Sequence, residues 1–207
     1  MSDVRTPERS RAWMRQGTEL FLNAADGADL DAPSLLPGWT RRHVVAHVAA
    51  NADAIGNLVH WAATGEETPM YASPEDRAAG IQRGAALPDR ELSGWLVGSA
   101  QSLEDAMAAL PQERWATEIR TAQGRIVPAT ETSWMRAREV LVHAVDLDTG
   151  LGFADLPEDF LAALVEEIRV KRGLVGDLPG GPLPEVAAWL AGRPHRLSGA
   201  ADLGPWL

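Results

Sequence analysis

The amino-acid sequence predicts a mainly α protein: a four-helix bundle with a short hairpin excursion and a reduced C-terminal appendage. Three observations carry that expectation. Apolar residues recur at helical spacing through long segments, Pro and Gly punctuate the joins, and one stretch alone drops the helical period around a glycine turn.

From about Pro7 to Ala25, Trp13, Met14, Leu20 and Phe21 lie on one side of a predicted helix. Pro37-Gly38 breaks the chain, and Thr40 is an N-cap for a second helix reaching about Ala63. Residues 64–86 carry Gly65, Pro69 and Pro74, which predicts a loop ending in a short helix. A third helix of the bundle spans roughly Asp89 to Leu110. "WATEIRTAQGRIVPA" then loses the period, and Ile119 and Ile126 flank a Gly124 turn, so a short β-hairpin is expected. The fourth bundle helix runs from about Glu131 to Thr149, and a further helix from after Pro157 to Arg172. The remaining 173–207 hold five prolines and one short helical run, "PEVAAWLAGR". The expected organisation is a bundle over 1–172 and a short appendage over 173–207.

Composition narrows the function. Twenty-nine acids against 19 bases leave a formal charge of -10, which argues against binding nucleic acid or an anionic membrane, since both need basic surface. No run of about 18 apolar residues is present, and "MSDVRTPERS" has no signal-peptide core, so a cytoplasmic protein is expected. With no cysteine, the chain has neither disulfides nor a thiol of its own for catalysis. Lys171 is the lone lysine among the bases, and this arginine-heavy usage suggests an actinobacterial-type source.

The chemistry concentrates in two segments. "SWMRAREVLVHAVDLD", Ser133–Asp148, sets Glu139 and His143 four residues apart among Val140, Leu141, Val142 and Val145. "RRHVVAHVAANAD" sets His43 and His47 at the same spacing, with Asn51 one turn on. Residues i and i+4 share a helix face. A bundle that brings these faces together converges imidazoles and a carboxylate, the donor set of a zinc site with an open position. Two other readings fit the residues: a plain Glu–His ion pair, or the two-histidine, one-carboxylate triad of non-haem iron enzymes.

The stretch "LLPGWTRRHVVAHVAANADAIGNLVHWAATGEETPMYASPEDR" resembles the mycothiol-dependent maleylpyruvate isomerases, built on the DinB/YfiT-like metal-binding bundle. "TAQGRIVPATETSWMRAREVLVHAVDL" is similar to their second signature, and the resemblance covers about Leu35 to Leu147. It implies that His47, Glu139 and His143 bind one divalent metal, most simply zinc, and that His43 lies outside the ligand set, orienting a neighbour or packing on Trp39. It also implies mycothiol as cofactor and a cis–trans isomerisation of maleylpyruvate to fumarylpyruvate. The thiolate adds to the alkene, the bond rotates once single, and the thiol leaves.

The implied partners are therefore a small dicarboxylate and a low-molecular-weight thiol, with no nucleic acid and no membrane, in a monomer or weak homodimer. Because the substrate is a dianion, arginines are sought beside the metal. Arg77 in "SPEDRAAGI" and Arg193 in "LAGR" match arginines of the family, and Arg125 at the hairpin turn is a third candidate. Arg193 is expected to bind a substrate carboxylate, and Arg77 and Asn51 to contact thiol or substrate. His60 and His195 are expected at the surface, Trp61 and Trp134 in core or pocket wall. The Gly/Pro-rich tail, read as shortened against the family, keeps a second activity in view: a mycothiol S-transferase that conjugates the thiol to an electrophile.

Overall fold

The structure is a computed structural model and describes residues 5–206. Four long helices close into a ring: α1 (Pro7–Ala25) packs on α5 (Glu131–Asp146), α5 on α2 (Arg41–Thr64), α2 on α4 (Asp89–Ala109), and α4 back on α1. These are the four segments with the sequence's apolar periodicity. Beside the ring lie α3 (Pro74–Ala85), α6 (Glu158–Lys171) and α7 (Leu183–Leu190).

Local chemistry sets the helix ends. Thr6 accepts a hydrogen bond from the Arg9 amide at 3.2 Å, and Pro7 follows it in the first turn, where a missing N–H costs nothing. At α2 the Thr40 amide donates to His43 Nδ1 at 3.3 Å, and the Thr40 hydroxyl contacts the same nitrogen at 2.9 Å. The chain leaves α2 through Gly65 at φ 82°, a left-handed conformation that favours glycine. The α5 helix ends at Asp146 rather than near Thr149, because Asp148 turns to φ 53°.

α5 is the central element. Apart from Glu131 and Glu139 its residues are buried, as befits a helix surrounded by protein on every side. α1 approaches it closely at Gly17, where a Cβ would stand 2.6 Å from the side chains of both Val140 and Leu141. Trp13, Trp134 and Phe160 pack edge-on or tilted at 5.6–6.0 Å between centroids, joining α1, α5 and α6.

The hairpin is present: β1 (Glu118–Arg120) pairs antiparallel with β2 (Ile126–Pro128), Ile119 opposite Val127. Ile119 is buried and Ile126 exposed, so one of the two isoleucines anchors the ribbon to the bundle. Residues of the C-terminal segment, Val186 to Ala191, join the same hydrophobic core as the bundle. Arg172 ties that segment down through the carbonyls of Leu190, Leu203 and Gly204. Among the described residues no helix is long and apolar enough to cross a membrane.

Candidate active site

The ring brings the two histidine-bearing faces together. His47 Nε2 donates to Glu139 Oε2 at 3.0 Å, and His143 Nε2 lies 3.4 Å from the same oxygen. The two imidazoles meet edge to face at 4.8 Å, and one ligand atom from each of the three residues falls within 4.8 Å of the others. His47 and His143 are 4% and 2% exposed, so the cluster sits in the interior rather than on a solvated face.

Ion pairing of Glu139 with the two imidazoles leaves one nitrogen without a hydrogen bond. His143 Nδ1 contacts Asp146 Oδ2 at 2.7 Å. A carboxylate only accepts, so Nδ1 keeps its hydrogen, and Nε2 presents the lone pair once the ring is neutral. That Nε2 is buried without a hydrogen-bond partner, and a buried polar atom left unpaired is costly enough to need an explanation. A cation held between His47, Glu139 and His143 supplies one. A histidine whose far nitrogen is held by a carboxylate is the usual support for a metal ligand.

Electrostatics run the same way. Burial opposes ionisation of Glu139, but the His143 and His47 rings outweigh it and hold the carboxyl well below its ordinary value. Burial lowers His47, with Glu139 offsetting only part, so that ring favours the neutral form a ligand needs. At His143 burial pulls down, yet Asp146 and Glu139 together leave it raised. Any metal entering here must displace that proton.

The cluster opens on a cavity of about 920 Å³ between α2, the loop into α3, the hairpin turn and α5. Its wall is cationic for so acidic a protein, with Arg77, Arg120, Arg125, Arg138 and Lys171 against Glu67 and Glu139. Arg77 reaches within 3.4 Å of His47 Nδ1 and lies over the Tyr71 ring at 5.9 Å. Asn51 also lines the cavity, but its Oδ1 is taken by Arg136 at 2.9 Å. Arg136 is wholly buried, which lowers it to about 10, and it also donates to the Val48 carbonyl at 2.7 Å. Trp61 lines the cavity, whereas Trp134 is core and donates to Glu167.

Two expectations need comment. His43 stays out of the cluster as a cap on Thr40, its ring 6.1 Å from Trp39. Arg193 does not face the cavity. It is 4% exposed and grips Asp146 with two bonds, Nε–Oδ1 at 2.9 Å and Nη2–Oδ2 at 2.7 Å. Its Nη1 donates to the carbonyls of Ala191 and Trp206, both at 2.6 Å. The "LAGR" arginine is a buried counter-ion and leaves no donor pair for a substrate carboxylate. His60 is exposed, while His195 is half-buried and accepts from the Leu197 amide at 3.2 Å.

Asp146 is the residue that reading by motif passed over. Its signal was present, a carboxylate three residues after His143 and hence on the same helix face. Burial raises its carboxyl, but Arg193 and His143 outweigh that and hold it below its ordinary value.

A helical ring that gathers two imidazoles and a carboxylate, with His47 and Glu139 at the wall of a cationic, ligand-sized cavity and His143 behind them, defines a class of bundle with a metal-type pocket. The family described as mycothiol maleylpyruvate isomerase N-terminal domain matches residues 6–148, and this chain belongs to it. Two solved structures are similar along the whole chain. One is described as the mycothiol-dependent maleylpyruvate isomerase, at 36% identity and TM-score 0.88, with 99% of each chain covered. The other is a histidine-to-alanine mutant of it, at 37% identity and TM-score 0.89 with the same coverage. A search of the curated proteins returned no match.

Proposed function

We propose that this protein is a mycothiol-dependent isomerase that converts maleylpyruvate to fumarylpyruvate, with His47, Glu139 and His143 holding one zinc ion. The observation that carries the reading is the convergence of His47, Glu139 and His143, with the buried His143 Nε2 3.4 Å from Glu139 and without a hydrogen bond, behind a cationic cavity that His47 and Glu139 line. Family membership and end-to-end similarity to solved isomerases support the substrate and the thiol. Zinc suits a nitrogen and oxygen donor set in a reaction with no redox change. When bound, it would let an incoming thiol react as thiolate at neutral pH, which a chain without cysteine cannot do alone.

The chain's own residues have definable parts. Asp146, gripped by Arg193, fixes the tautomer and rotation of His143. Glu139 contributes the one negative charge of the ligand set and stays ionised. Arg77, 3.4 Å from His47 Nδ1 on the cavity wall, is suited to a substrate carboxylate. Asn51, held by Arg136, braces the α2 wall. Use of a reduced low-molecular-weight thiol fits a cytoplasmic location, and with the arginine-rich composition it fits an actinobacterial source.

The test is to incubate metal-loaded protein with maleylpyruvate, with and without mycothiol, and follow the trans product. Product only in the presence of thiol is the expected result. A stable thioether accumulating in place of free fumarylpyruvate would instead mark an S-transferase.

A further inference from the structure

Part of the cavity wall has no role in the scheme above. Arg138, on α5, lines the same cavity as Glu139 but projects about 100° further round the helix. Its side chain is 8% exposed, and its guanidinium lies over the rings of Trp134 and Trp206 at 5.9 and 5.5 Å. One nitrogen, Nη1, bonds Glu167 Oε1 at 2.9 Å, but its Nε is buried with no acceptor. Lys171, at the end of α6, places its ammonium 5.5 Å from the same Trp206 ring and pairs with the same Glu167. Arg125, at the hairpin turn, completes this wall. Arg138 and Lys171 therefore share one carboxylate, with Arg125 a third cation on the same wall.

The surplus is felt locally. Burial and then Arg138 push the Lys171 ammonium below its ordinary value, and Glu167 only partly offsets them. An anion at this wall would meet the Arg138 guanidinium, a partly exposed ammonium and the Trp206 ring. Cationic donors that outnumber their acidic partners on a cavity wall are the chemistry of a carboxylate subsite.

The geometry points to Arg138, Lys171 and Arg125 as a second anion subsite of the cavity, which takes one carboxylate of a dicarboxylate ligand while the Arg77 end takes the other. As a statement about substrate it rests on the isomerase reading; as a statement about anion binding it does not. A dianion gripped at both ends is drawn out along the cavity, so that its central carbons lie toward Glu139 and His47. Selectivity for a dicarboxylate of suitable length follows from two cationic ends.

The test has two arms, both on the full metal-loaded chain. Titration calorimetry with glutarate, a plain dicarboxylate that cannot isomerise, should show binding that weakens tenfold to a hundredfold in Lys171→Met and in Arg125→Met. Arg90→Met, an exposed change on α4, should bind as wild type and controls for net charge. In the second arm, KM for maleylpyruvate should rise at least tenfold in Lys171→Met with kcat changed less than threefold and metal content unchanged. Arg138→Lys keeps the charge but loses the fork, and should weaken glutarate without unfolding the protein. Glutarate that binds wild type and Lys171→Met equally, or binds neither, overturns the subsite. Glutarate binding that follows the pattern in an enzyme inactive on maleylpyruvate keeps the subsite and removes only the isomerase reading.

Discussion

Replacing Arg193 by Met tests its part as a buried counter-ion against the substrate contact expected from the sequence. The guanidinium makes two bonds to Asp146 and one each to the carbonyls of Ala191 and Trp206, at 2.6–2.9 Å. Asp146 is 0% exposed, so without Arg193 its carboxylate keeps only His143 as a partner. Removing one member of a buried ion pair costs about 3–5 kcal/mol, because the other charge is left uncompensated. Methionine retains much of the stem's apolar packing, so the loss reads on charge rather than on volume. Total stability of a single domain is about 5–15 kcal/mol; Arg193→Met should therefore be folded but weak. With a urea slope of about 2 kcal/mol/M, its midpoint falls by roughly 1.5–2.5 M in metal-free protein. Loosening Asp146 also releases His143, so metal affinity should drop about tenfold to a hundredfold. Adding Asp146→Asn to Arg193→Met should recover part of the stability, since it deletes the stranded charge. An Arg193→Met protein within about 1 kcal/mol of wild type, with normal metal affinity and a raised KM for maleylpyruvate, would refute this and put the arginine on substrate.

Three further outcomes follow from the geometry. His47→Ala should lose metal with the fold retained, whereas His43→Ala should keep it and lose about 1 kcal/mol of cap stability; metal analysis beside thermal melts checks both. Gly17→Val should destabilise by about 1–3 kcal/mol or more, because its Cβ has side-chain carbons of Val140 and Leu141 at 2.6 Å, and an unchanged melting temperature would contradict the α1–α5 approach. In metal-free protein the Asp146–His143 pair sets a pH window. The Asp146 contribution is present above its ordinary 3.8 and lost as pH falls through its lowered folded value. The His143 contribution is complete below its ordinary 6.5 and lost as pH rises through its raised folded value. The stability difference between wild type and Asp146→Asn should thus be largest between about pH 3.8 and 6.5, and a difference that does not vary with pH would count against the pair.

By itself the sequence determined what depends on near neighbours. The four bundle helices could be read because apolar residues repeat every three to four positions and Pro37-Gly38, Thr40 and Gly65 mark the ends of the second. His47, Glu139 and His143 could be singled out because i, i+4 pairs share a helix face, and because two long motifs match a family whose chemistry uses them. The hairpin turn at Gly124, φ 78°, was likewise written locally. What lay beyond was decided by distant segments meeting. Arg193 stands 47 residues from Asp146, and no local pattern says that the tail returns beneath the end of α5 rather than over the cavity. Arg138 and Lys171 become neighbours through α6 docking on α5, and Trp206 joins them from the far end of the chain. Charge has no periodicity from which its partner can be inferred. A helix face follows from the order of residues along one turn, whereas an ion pair across the core follows from which faces are packed together, and that is a property of the folded ring alone.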